Sequence, residues 1–129
     1  FFHYTAYGDA VNTAARLEAA NKQLGTRVCV SGDTVALIPD FVGRPIGTLM
    51  LKGKEKGIAA FEPLNPALSH SAGMTSYREA FELLAAGDPN AVQRFAACVG
   101  ANGDDRLATF HLRRLLAGHT GPVIALGGA

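Results

Sequence analysis

Tyr4-Thr5-Ala6-Tyr7-Gly8-Asp9-Ala10-Val11-Asn12-Thr13-Ala14-Ala15-Arg16-Leu17-Glu18 is the stretch from which the rest of the chain is read. Its aromatic, β-prone opening ends at Gly8, and no Gly or Pro follows before Gly25, which predicts a strand turning into a helix over residues 9–24. Asp9 stands where a carboxylate accepts the free amides of a first turn and opposes the positive helix end. Gly25 stands where a left-handed C-terminal cap is expected. Val11, Ala14, Ala15 and Leu17 supply apolar and small contacts for burial. Asn12 and Arg16, four apart, share one side of that helix with about 6 Å between Cβ atoms. An amide and a guanidinium beside small residues can hold an anionic ligand, although spacing alone reads as a solvated face.

Downstream, residues 26–30 are a short β-branched run expected as a buried strand, and Ser31 caps a second helix that runs to about residue 38, where Pro39 stops it. Strand character returns over residues 41–51, and the interruptions at Gly43, Pro45 and Gly47 suit an edge strand or a bent hairpin. A turn over 52–57 leads to a last strand at 58–61. The order strand–helix–strand–helix–strand–strand predicts an α+β arrangement with helices on one face of a sheet. The Pro- and Ser-containing stretch 63–73 reads as a linker, and three helical segments follow. The first, 76–86, places Tyr77, Ala80, Phe81, Leu83 and Leu84 at helical spacing and ends at Gly87. In the second, Pro89 takes a first-turn position, with Val92, Phe95 and Ala96 on one face. Asp104 or Asp105 caps the third, whose apolar residues are Leu107, Phe110, Leu112, Leu115 and Leu116, with Gly118 closing it. His111, Arg113 and Arg114 on this helix are expected at the surface or the core edge. Residues 122–126 read as a strand or a frayed end.

A chain of 129 residues with 48% hydrophobic and 18% charged residues suits one compact domain, or a small domain with an appendage. No apolar run approaches the roughly 20 residues of a membrane-spanning helix, so no membrane contact is expected from this segment. The opening Phe-Phe-His has no Met, basic n-region or cleavage site, and is read as a cut within a longer protein. A net charge of +1 with scattered Lys and Arg gives no footprint for nucleic acid. Cys29 and Cys98 lack CxxC spacing, and Cys29 between two valines suits a buried free thiol in a reducing compartment. Lys52-Gly53-Lys54 does not make a phosphate loop, since five residues rather than four separate Gly47 from Gly53 and Glu55 stands where Ser or Thr is needed. On its own it reads as a solvated hairpin tip.

The run from Gly8 to Glu18 resembles the signature near the end of the catalytic domain of class III adenylate/guanylate cyclases. Val28-Cys29-Val30-Ser31, Ile46-Gly47, Leu51-Lys52-Gly53-Lys54 and Phe61-Glu62 continue the resemblance in the same order. It covers residues 1–64 and implies the C-terminal half of a ferredoxin-like βαββαβ domain whose first half would precede Phe1. Residues 65–75 would then be a linker and 76–129 a helical hairpin tail that loosely resembles tetratricopeptide units and could take a protein partner. By position in the motif, the resemblance implies that Asn12 orients the ribose and Arg16 stabilises the transition-state α-phosphate. It likewise assigns Lys52 to the outer phosphates and Thr5 to the purine. Threonine there is the habit of a bacterial subgroup and favours ATP over GTP. The family's two divalent ions, Mg²⁺ or Mn²⁺, are held by aspartates of the first half, and Asp9, explained by capping, does not replace them.

Because family sites form between two catalytic domains, the resemblance implies a cytoplasmic homodimer, with any membrane anchor upstream. This chain alone is expected to be inactive while its parent makes cyclic AMP. An exposed half-sheet predicts that the fragment itself associates into a dimer or higher assembly. The alternative is a degenerate cyclase half that serves as a dimerisation or interaction module through its tail; the intact Asn12, Arg16 and Lys52 weigh against it.

Overall fold

The computed structural model describes residues 17–26, 28–50 and 57–126. The chain enters this region on a helix, α1, over 17–24. It continues through β1 (Val30–Ser31), α2 (Gly32–Ala36), β2 (Gly43–Met50) and β3 (Ile58–Pro63). Then come α3 (Pro66–Ser69), α4 (Ala72–Ala85), α5 (Ala91–Ala101), α6 (Arg106–Leu116) and β4 (Val123–Ala125). The strands make one mixed sheet in the order β1-β3-β2-β4. β3 runs antiparallel to both β1 and β2, whereas β4 lies parallel to β2. The expected α+β class is what forms: a four-stranded sheet with helices and a C-terminal helical region.

Local chemistry explains most boundaries. Gly25 takes φ +76° and its N–H returns to the Asn21 carbonyl at 2.9 Å, the left-handed cap expected there. Ser31 accepts from the Thr34 amide at 3.3 Å and so starts α2. Of the two aspartates before α6, Asp105 is the cap, accepting from the Ala108 amide at 3.2 Å.

Residues 65–75, expected as a linker, contain two helix starts. Asn65 accepts from the Leu68 amide with Pro66 in the first turn, giving α3, and Ser71 accepts from the Met74 amide, so α4 begins at Ala72 rather than at 76. Two cap residues in a Pro- and Ser-containing run are helix-starting signals as much as loop signals. Of the strand expected over 26–30, residues 26, 28 and 29 are not strand; the strand is Val30–Ser31, and Val28 is half exposed. On α5 the buried face is Ala91, Phe95 and Cys98, with Ala96 exposed.

β2 is not an edge strand. Its pairing with β3 shifts between Pro45 and Gly47, an extra residue that leaves Ile46 without a partner in the register. The shift changes the parity of the strand, so Ile46 and Leu49, three apart, are both fully buried. Pairing with β4 begins only beyond the bulge, at Thr48, whose N–H donates to the Pro122 carbonyl at 2.8 Å. Gly47, at φ +146°, permits this approach, because a Cβ there would lie 2.6 Å from the Pro122 carbonyl oxygen.

One apolar core runs from Leu17, Ala20 and Leu24 of α1, through Ile46, Leu49 and Ala60 of the sheet, to Tyr77, Leu84, Phe95, Leu107 and Ile124. The helices after β3 and α1 therefore share one core with the sheet. Among the described residues no helix is long and apolar enough to cross a membrane.

Candidate functional site

Thr5, Asn12, Arg16 and Lys52, the site residues expected from the sequence, lie outside the described residues, as do Asp9 and the Lys52–Lys54 turn. What the structure describes is the frame next to them in the chain. Leu17, which follows Arg16, is buried, and α1 is anchored by Leu17, Ala20 and Leu24. β2 ends at Met50, two positions before Lys52.

The helical region grips β2 through a set of side chains that local sequence does not reveal. From Gly43 to the bulge, before pairing with β4 begins at Thr48, carbonyls that a regular strand would give to a neighbour are taken by side chains. The Tyr77 hydroxyl donates to the Pro45 carbonyl at 2.6 Å, and Arg78 donates to that of Gly43 at 3.0 Å. His111 Nε2 donates to Ile46 at 2.8 Å. A carbonyl only accepts, so that nitrogen carries the proton, and Nδ1 is left to accept from Arg114 at 3.3 Å. Arg114 also donates to the Gly121 and Val123 carbonyls at 3.2 and 2.9 Å, tying α6 to the segment that becomes β4.

Arg44 is the centre of this grip. Its two terminal nitrogens donate to the two Asp105 oxygens at 2.7 and 3.0 Å, and its Nε donates to Glu62 at 2.7 Å. Its guanidinium carbon stands 4.6 Å from the centre of the Tyr77 ring. The planar fork matches a carboxylate bidentately while its face rests on the aromatic ring. Among the described residues every buried side-chain nitrogen and oxygen has a partner.

Burial sets the electrostatics. For Arg44, desolvation works against the charge, but the hydrogen bonds and charges of Asp105 and Glu62 outweigh it and hold the guanidinium above its ordinary value. Burial pushes the Tyr77 hydroxyl well above its usual range. It lowers His111 to about 4, keeping the ring neutral at pH 7. His111 is thus a fully buried core residue, not the surface or core-edge residue expected. Cys29 and Cys98 are free and buried; burial, with the charge of Glu62, raises Cys29 to about 11, which leaves it an unreactive thiol.

Among the described residues no group of three or more His, Cys, Asp or Glu side chains is placed to hold a metal ion. Glu62 and Asp105 are both engaged by Arg44, so neither is assigned to a divalent cation. Of the residues that build this cluster, Asp105 was visible as a cap and Tyr77 as an apolar helix position. Arg44 and His111 carried no local signal, since their partners lie 61 and 65 residues away.

Over 60 residues, 46% of its length, the chain is 48% identical to adenylate cyclase 1 of Rhizobium meliloti (strain 1021). It spans 9% of the length of that protein. No protein-family profile and no solved structure matches the chain.

Proposed function

We propose that this chain is the C-terminal part of a class III adenylate cyclase catalytic domain, continued by a helical region. The observation that carries the reading is the 48% identity over 60 residues to adenylate cyclase 1, joined to the ordered motifs from Gly8 to Glu62. In the reaction the ribose 3′-oxygen of ATP attacks the α-phosphorus and loses its proton. The bond from that phosphorus to the bridging oxygen of the β-phosphate breaks, and pyrophosphate leaves as 3′,5′-cyclic AMP closes. The barrier falls mainly by holding this attack in line and by neutralising charge on the phosphate oxygens.

Asn12 is assigned to the ribose and Arg16 to the α-phosphate, where a planar guanidinium meets two oxygens at once. Lys52 is assigned to the outer phosphates and Thr5 to the adenine edge. The divalent ions, Mg²⁺ or Mn²⁺, are assigned to side chains elsewhere in the parent protein, and the working form to a cytoplasmic homodimer. On this reading residues 1–64 are the catalytic part and 76–129 the helical region.

The test is cyclic AMP formation from ATP with Mn²⁺ by the full-length parent, its Arg16→Ala form and this chain alone. An active parent, a variant lowered by about 10²–10³-fold in kcat and a silent fragment are expected. A parent inactive with both ATP and GTP overturns the reading in favour of a dimerisation or interaction module.

A further inference from the structure

α1 and β2, the two elements that adjoin the proposed site residues in the chain, are both held against one point, the start of α6. On one side, Asp105 grips Arg44 of β2 with both carboxylate oxygens, and its own side chain is 1% exposed. On the other, the next residue, Arg106, lies against the C-terminal cap of α1. A Cβ placed on Gly25 would come within 2.5 Å of the Arg106 Cβ and 3.2 Å of its carbonyl carbon. There is no slack between α1 and α6 at this contact. Two adjacent residues of the helical region therefore set the spacing between α1, which follows Asn12 and Arg16, and β2, which leads to Lys52.

A buried ion pair is a poor way to gain stability, since well-packed apolar replacements are often neutral or better. What a bidentate, stacked guanidinium–carboxylate pair supplies is a fixed relative orientation. We propose that Asp105 and Arg106 are positioning residues for cyclic-nucleotide formation, so that the helical region is a determinant of turnover rather than an appendage. The proposal rests on the adenylate cyclase reading above. A misplacement of about 1 Å from a site remote from the chemistry can cost about 10²-fold in rate. The loss falls on kcat rather than KM where the displaced group, Arg16, acts in the transition state.

The experiment uses the full-length parent and follows kcat, KM for ATP and thermal midpoint together. Arg44→Met/Asp105→Leu replaces the pair by apolar groups. Its expected behaviour is a midpoint lowered by the lost cap of α6 and by Glu62 left without Arg44, and, at temperatures where the variant is folded, a kcat lowered about tenfold or more with a KM changed much less. If that variant does not fold, Asp105→Asn replaces it, because the amide oxygen still caps Ala108 while the bidentate pairing is lost; the same split is expected. Gly25→Ala, which drives a Cβ into Arg106 and also strains a left-handed backbone at φ +76°, is expected to lower kcat likewise, and Arg106→Gly in the same chain to restore the part that is due to the contact. Folded pair and Asn variants with native kcat, or a Gly25→Ala loss that Arg106→Gly does not relieve, overturn the proposal. An inactive wild-type parent overturns the cyclase reading instead, and is seen before any variant is compared.

Discussion

Arg44 and His111 are fixed by partners from other elements, and this is why neither was legible in the sequence. A lone arginine between Gly43 and Pro45 reads as solvent-facing, yet it is buried against Glu62, Asp105 and Tyr77. A histidine followed by Leu-Arg-Arg reads as a polar helix face, yet its ring is closed in by Tyr77, Phe81, Phe95 and Phe110. The charged groups that bear on it are Arg114, Arg44 and Asp105. Its pKa, lowered from 6.5 to about 4, gives a pH dependence of stability with a definite sign. Between those values the unfolded chain binds the proton and the folded chain does not, so stability rises with pH across the window. It is complete above 6.5 and lost as pH falls toward 4, by on the order of 3 kcal/mol. Urea midpoints of the wild type and His111→Gln at pH 4.5 and 7.5 should show a smaller loss in the variant; an equal loss would remove His111 from the account. The residues proposed for nucleotide chemistry, Thr5, Asn12, Arg16 and Lys52, are legible only as motif positions and lie outside the described residues.

Elements were most legible where a cap marks an end. Ser31, Gly25 and Asp105 each do what their residue types predict. The reading failed where an element depends on a distant partner. Gly43, Pro45 and Gly47 pointed to an edge or a bent hairpin; β2 and β3 do pair antiparallel with a bulge between Pro45 and Gly47, but the edge did not form. β2 nevertheless becomes internal, since β4 pairs with it only beyond the bulge, and β4 itself is three residues long, too short for a periodic signal. That juncture makes a prediction for Gly47→Ala. Its new methyl group would meet the Pro122 carbonyl at 2.6 Å and Ile124 Cδ1 at 2.9 Å, which should unseat β4 at a cost of about 1–3 kcal/mol. Hydrogen exchange should show amide protection falling at Thr48 and over 123–125 while α4 and α5 keep theirs. Unchanged protection across β4 would mean that the ladder tolerates the group.

For the molecule as a whole, the sequence divides the chain after residue 64, but the apolar core does not follow that division. Ile46, Leu49 and Ala60 from before the boundary pack in one cluster with Tyr77, Phe95, Leu107 and Ile124 from after it. Unfolding should accordingly be a single transition, with far-ultraviolet dichroism and tyrosine fluorescence coinciding. Residues 1–64 expressed alone should fail to give a cooperative transition, their buried sheet face being uncovered. Two separate transitions, or a cooperative fragment, would instead establish independent units. The parallel pairing of β4 with β2 also orders events at the ribosome. Thr48–Met50 leaves the exit tunnel long before Val123–Ala125 can reach it, by several seconds at about 5–20 residues per second. Throughout that interval the nascent chain carries an open strand edge, and on a crowded polysome its nearest available mate is the same edge of the neighbouring nascent chain.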